Sequence, residues 1–241
     1  MILYYVRHGE PDYENDCLTP KGKKQAEAIA KLFKHLGVNK IYASTMGRAT
    51  ETAIPTAREF NLPIIPCPWA REDLAWKNYT VKIEEGRTWI FWAKKWVDEF
   101  NSKETIEKGY DFYTLPIYQE TNLPIGIPLT DKAVDEFMLS LGYVHDRANK
   151  CYTEKEKNED HVALFAHHGF GLAFLSSLLD IPYSFSSLRM DMGHTGLTTI
   201  LFEKSVNGKV YPRILHLSDD AHLYKEGMLE DKPTEIYIDK E

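Results

Sequence analysis

Three observations predict an α/β fold of three layers, with helices on both faces of a mainly parallel sheet that ends in an antiparallel edge. The chain opens on a short apolar run, a similar run recurs near residue 161, and β-prone segments alternate with amphipathic helical ones around both. A chain of 241 residues is long enough to bury a sizeable core and fits one large domain with a substantial insertion.

Ile2 to Val6 shows no 3.6-residue period and reads as a strand buried on both faces. Thr19-Pro20 then offers an N-cap and a proline at the first helical position. Ala26, Ile29, Ala30 and Phe33 share one face up to Leu36, and Gly37 closes the helix. Lys40 to Ala43 predicts a second strand, Gly47 to Phe60 a second helix and Pro63 to Cys67 a third strand. His161 to Ala166 repeats the opening pattern and runs through a glycine-containing turn into an apolar helix, Phe170 to Leu179. Thr195 to Glu203 and Val210 to His216 read as two strands joined by a hairpin turn at Asn207-Gly208. Alternation of strand and helix implies right-handed crossovers and parallel pairing, and the last two strands supply the antiparallel edge.

Between about 73 and 160 the text changes character, with Trp76, Trp89, Trp92, Trp96 and several tyrosines. The expectation is a cap inserted into a single domain spanning 1–241. Trp89, Trp92 and Trp96, at i, i+3 and i+7, predict one core-facing side of a helix, and Lys132 to Asn149 predicts another helix. Trp76 and Tyr79 are candidates for lining a pocket as much as for ordinary packing.

With 29 basic and 36 acidic residues the formal charge is −7, so the long-range field repels nucleic acid and anionic membrane, and any anion site must be built locally. Cys17, Cys67 and Cys151 are widely spaced and form no CxxC pair, which suggests neither a disulfide framework nor a zinc knuckle. No apolar run approaches the roughly 20 residues of a membrane helix. The first residues also lack the pattern of a signal peptide, so a cytoplasmic location is expected. Oligomeric state is not legible.

The sharpest local signal is Arg7-His8-Gly9-Glu10, placed where a buried strand ends, because ligands in α/β sheets bind beyond the carboxyl ends of strands. His167-His168-Gly169 occupies an equivalent strand end, so the two turns are expected to face one crevice. That arrangement suits phosphoryl transfer. A neutral imidazole is a competent nucleophile near pH 7, and arginine forks neutralise the phosphoryl oxygens. Arg7 and Arg48 are placed to do so, and backbone N–H groups opening the helix after His167 add donors. The leaving oxygen needs an acid of raised pKa, for which Glu72 and Asp73 are the candidates, Glu72 preferred. His167-His168 could suggest a metal pair, but neighbours on a strand point to opposite faces and carboxylates at metal spacing are missing. Asp219, Asp220 and His222 are read as a tail packed over the sheet.

Four stretches together resemble the histidine phosphatase superfamily, the group that includes the cofactor-dependent phosphoglycerate mutases. They are Arg7-His8-Gly9-Glu10, Leu18 to Ala26, Tyr42 to Ala53 and His167-His168-Gly169; Asp219 to Leu223 is similar to a tail of the phosphatase branch. The resemblance covers about 1–72 and 161–223 and leaves the insertion unaccounted for. It implies His8 as nucleophile, Arg7 and Arg48 as phosphate ligands, His167 as the second pocket histidine and Glu72 as proton donor. His168 stands where glycine is usual, and it joins Arg7 and Arg48 as a candidate substrate-binding residue. Pro11 and Asp12 depart from the usual pattern, and the short segment before Leu18 argues for hydrolysis over mutase chemistry.

The expected activity is hydrolysis of a small phosphomonoester through a phosphohistidine on His8, without cofactor or metal. The alternatives are a phosphoglycerate-type mutase and a catalytically decayed protein that binds phosphate esters.

Overall fold

The computed structural model describes residues 1–205 and 207–228. The chain opens on β1 (Ile2–Arg7) and a two-residue ribbon, β2 (Pro11–Asp12) with β3 (Cys17–Leu18), before α1 (Pro20–Leu36). The predicted cap is realised: the Thr19 hydroxyl accepts from the Gly22 N–H with Pro20 in the first turn. Gly22 is required here, because a Cβ would stand 2.2 Å from the Glu10 carbonyl oxygen where the helix crosses the chain leaving β1. Then follow β4 (Lys40–Ser44), α2 (Gly47–Phe60), β5 (Ile64–Cys67) and α3 (Glu72–Tyr79).

The central sheet has the order β12-β11-β1-β10-β4-β5, formed with β10 (His161–Ala166), β11 (Leu197–Leu201) and β12 (Arg213–Asp219). β1, β10, β4 and β5 pair in parallel, while β11 runs antiparallel to both β1 and β12. Alternation along β1 divides the core. Leu3 and Tyr5 join one apolar cluster, whereas Tyr4 and Val6 join another with Ile29 and Phe33 of α1 and Ala53 of α2. The first cluster is completed by α6 (Leu123–Ser140) and α7 (His168–Leu179), so helices cover both faces.

Residues 80–154 hold two small hairpins, β6 (Thr80–Ile83) with β7 (Gly86–Trp89) and β8 (Tyr143–Asp146) with β9 (Cys151–Glu154), together with α4 (Lys94–Phe100), α5 (Lys103–Lys108) and α6. Two expectations are corrected here. Trp89, Trp92 and Trp96 share no helix: Trp89 ends β7, Trp92 lies in a short 3₁₀ turn and Trp96 belongs to α4. The helix expected at 132–149 starts at Leu123 and stops at Ser140. Pro124 sits in its first turn, where its missing N–H costs nothing, and Pro128 one turn later removes a single bond. Gly142 at φ 89° ends it, and the alternation of buried Tyr143 with exposed Val144 goes into the β8–β9 hairpin.

The chain ends its described course with α8 (Tyr183–Arg189), β11, β12 and α9 (Ala221–Lys225). The Asn207-Gly208 turn forms where expected, with the Gly208 N–H on the Ser205 carbonyl. Its flanking strands lie further out than 195–203 and 210–216. Thr195 at φ 56° cannot extend β11, and Ser218 at φ 52° and two register shifts bend β12. No helix among the described residues is long and apolar enough to cross a membrane.

Candidate active site

β1 and β10 lie side by side with Arg7 opposite Ala166, and the His8 N–H donates to the Ala166 carbonyl at 2.9 Å. His8 and His167 therefore leave adjacent strand ends, and their ring centroids are 5.2 Å apart at an interplanar angle of 61°. The Tyr5 hydroxyl donates to the His167 carbonyl at 2.6 Å and accepts its N–H at 3.2 Å, fixing the peptide from which α7 starts.

His8 is 2 % exposed. Its Nδ1 lies 2.7 Å from the Gly9 carbonyl, which can only accept, so Nδ1 carries the proton and Nε2 keeps its lone pair. The Arg48 Nε–H points at that nitrogen from 3.3 Å. Burial, then the positive charge of Arg7 and the neighbouring His167, hold the His8 pKa well below its ordinary value. Burial and the guanidinium groups of Arg48 and Arg7 depress His167 in the same way. The His167 Nε2 meets the Ser44 hydroxyl at 2.8 Å, and its buried Nδ1 has no protein partner.

Arg7 is buried, with Nη1 on the Met192 carbonyl at 2.5 Å and Nη2 3.1 Å from the His194 Nε2. Its Nε is buried and has no protein partner. Arg48 lies in the first turn of α2 and pairs through Nη1 with Asp16 at 2.5 Å; the same carboxylate accepts the Gly47 N–H at 2.8 Å.

Glu72 opens α3 and reaches across to the start of α7. Its two carboxylate oxygens accept the N–H groups of Gly169 and Phe170 at 2.9 and 2.8 Å. Burial raises its pKa despite those two bonds. Asp73 differs: it is exposed and pairs with Arg71 at 2.7 Å, which keeps its carboxyl low. His168 points elsewhere than His167, its Nε2 2.7 Å from Asp191 and its ring beside Phe91 and Trp92. Among the described residues no group of three His, Cys, Asp or Glu could hold a metal ion.

Residues 3–114 match the model of the histidine phosphatase superfamily (branch 1), and they contain the His8, Arg7, Arg48 and Glu72 just described. Over that stretch, just under half of its length, the chain is similar to the histidine phosphatase superfamily. Over 79 residues it is 35 % identical to a probable phosphoglycerate mutase, GpmB, of Enterobacter sp., a match spanning 29 % of this chain and 37 % of that protein. The chain thus spans less than half the length of the curated relatives it matches. Among solved structures, mycobacterial glucosyl-3-phosphoglycerate phosphatase superposes with a TM-score of 0.58 at 18 % identity, over 90 % of this chain and 98 % of that one. Phosphoserine phosphatase of Entamoeba histolytica gives 0.56 at 19 %, over 92 % and 98 %. These two likenesses establish the shared fold.

Two residues of the crevice, His194 and Thr195, escaped the sequence reading, which placed His222 only in a tail packed over the sheet. His194 faces His8 at 5.9 Å between centroids and touches Arg7. Thr195, held at φ 56°, donates its N–H to the Arg7 carbonyl at 3.0 Å and lies 3.3 Å from that of His8. His222 of α9 secures it with Nε2 2.9 Å from the Thr195 hydroxyl, and burial lowers the His222 pKa to about 4. The tail from Asp219 thus packs on the site from behind. The run Gly193-His194-Thr195-Gly196 was the one available signal, a histidine between two glycines just ahead of a strand.

Proposed function

We propose that this chain is a phosphatase that hydrolyses a small phosphomonoester through a phosphohistidine on His8. The observation that carries the reading is the unprotonated Nε2 of His8, held by the Gly9 carbonyl on its far side and faced by Arg48. In the first step that lone pair attacks phosphorus, the bond from phosphorus to the leaving oxygen breaks, and Glu72 gives its proton to that oxygen. The phosphohistidine keeps its Nδ1 proton on the Gly9 carbonyl, which stabilises the imidazolium. In the second step water attacks phosphorus while Glu72 takes the water's proton, and the P–Nε2 bond breaks to release phosphate.

The donors required are the ones that lack full satisfaction within the protein. The buried Nε of Arg7 has no partner, and Arg48 would exchange its contact with His8 for a phosphoryl oxygen. If Ser44 donates to the Nε2 of His167, the proton of that ring lies on Nδ1, which has no partner either. Together they form an anion pocket that needs little rearrangement. Residues 73–160 would serve as a cap over this pocket. Glu72 suits the acid role better than Asp73, because only Glu72 is turned inward with its pKa raised.

The test is release of inorganic phosphate from a panel of phosphorylated metabolites, run beside His8→Ala. Phosphate release abolished by that substitution, with an acid-labile phosphoenzyme trapped in the parent, is the expected result. Undiminished release from His8→Ala refutes the mechanism, and isomerisation without free phosphate would assign the chemistry to a mutase.

A further inference from the structure

Beside the histidine cluster lies a cavity of about 450 Å³ that the steps above do not use. Its size is within the roughly 300–1,000 Å³ of small-molecule sites. Phe91, Trp92 and Leu188 give it apolar walls, His168 and Asp191 form a polar strip, and the exposed Arg189 also lines it.

Three links tie the cavity to the phosphoryl pocket. His168 directly follows His167 at the start of α7. Asp191 precedes Met192, whose carbonyl holds Arg7. Glu72 grips the two N–H groups that follow His168, and the indole of Trp89, which covers Gly169, stacks on Phe91 at 5.8 Å and 13°. The start of α7, which Glu72 holds and His168 opens, is thus a wall shared by the phosphoryl pocket and the cavity.

Building on the phosphatase reading, we infer that this cavity receives the leaving alcohol, and that the alcohol carries an aromatic ring with an anionic substituent. The ring is flanked by Phe91 and Trp92, whose faces reward an aromatic partner. A polyol there would give up its water for few open partners, because the Asn101 amide is already bonded to Val97 and Arg189 and the Ser187 hydroxyl donates to the Tyr183 carbonyl. Charge sets the orientation. Asp191 repels an anion at the catalytic end, while Arg189 offers a guanidinium that is held by the Asn101 side chain at 3.1 Å and the Phe185 ring at 4.1 Å. Among the described residues Arg189 forms no ion pair.

Benzyl phosphate and propyl phosphate release alcohols of similar basicity, so their ratio of kcat/KM reports the pocket and not the leaving group. Benzyl phosphate is expected to be favoured at least about tenfold, the scale on which a matched apolar pocket discriminates. 4-Carboxybenzyl phosphate should gain about a further tenfold from the charge-assisted bond. Trp92→Ala should collapse the first ratio, and so should Val97→Trp, which fills the cavity should the first variant fold poorly; Arg189→Met should remove the second gain. Equal kcat/KM for benzyl and propyl phosphate, or ratios that these substitutions leave intact, overturns the assignment. If phosphate is released in a His8-dependent manner without ring preference, only the cavity assignment falls. If His8→Ala changes nothing, the reading of the catalytic site falls with it.

Discussion

Replacing His145 with phenylalanine is expected to cost about 3 kcal/mol of stability at pH 6, the lower end of what breaking a buried ion pair costs. The figure follows from the surroundings of the ring. Its Nδ1 lies 2.8 Å from Asp135 and its Nε2 2.9 Å from Asp180, while the side chain is 1 % exposed. Two carboxylates need two donors, so the ring is an imidazolium. Phenylalanine preserves the stack on Tyr152, which is 4.0 Å away at 14°, and deletes both donors. Asp135 is 37 % exposed and still has Arg147 at 2.8 Å, so its loss is small. Asp180 is 9 % exposed and retains Arg147 only at 3.8 Å, and most of the cost falls there. Burial works against the charge on His145, but the bonds to Asp135 and Asp180 outweigh it and raise the pKa above 6.5. A raised pKa means a contribution complete below the unfolded value near 6.5 and lost as pH climbs through the folded value. Urea denaturation of parent and variant at pH 6 and pH 9 reads both effects, and at pH 6 the melting temperature should fall by about 6–12 °C for a chain of this size. A difference below about 0.5 kcal/mol at pH 6, the scale of an ordinary surface substitution, would refute the reasoning, as would a gap that widens with pH.

Glu72→Gln should lower kcat/KM by about 10²–10⁴-fold in a phosphate-release assay, the usual worth of a general acid, while Asp73→Asn stays near the parent. The same glutamine offers one acceptor to the two N–H groups of Gly169 and Phe170, so a loss of about 1–3 kcal/mol in denaturation should accompany it. The reaction needs His8 neutral, with a pKa held below 6.5, and Glu72 protonated, with a pKa raised above 4.5; kcat/KM should therefore peak on the acidic side of neutrality, and a steady climb from pH 5 to pH 8 would contradict the assignment. Depressed pKa values at His8 and His167 also mean that the unfolded chain binds more protons below pH 6.5, so stability should fall as the solution is acidified past that point. Gly169→Ala would place a Cβ 2.3 Å from the Trp89 ring and should cost about 1–3 kcal/mol by thermal denaturation, with reduced activity because that N–H holds Glu72.

What could be read in advance was what short stretches of chain determine. Thr19-Pro20 announced α1 because the cap is a bond three residues long, and Arg7-His8 at the end of an apolar run announced the crevice because strand ends are where α/β sheets bind ligands. The tryptophan spacing misled, since 3.6-residue periodicity cannot register that Gly86 turns the chain into a hairpin ahead of Trp89. Pro128 misled in the opposite sense by hiding the first turns of α6. Asp16 and His194 were invisible for a different reason: each reaches its partner through tertiary contacts, 32 and 187 positions away, that no local pattern encodes.

The in-register ladder between β1 and β10 bears on how this crevice can evolve. The spacing of its two imidazoles is written in main-chain amides and carbonyls, so drift among the apolar side chains beneath can weaken the fold while leaving the reactive geometry in tune. A slip of one position along that ladder would do the reverse, presenting one ring to the opposite face of the sheet in a molecule whose composition had not changed.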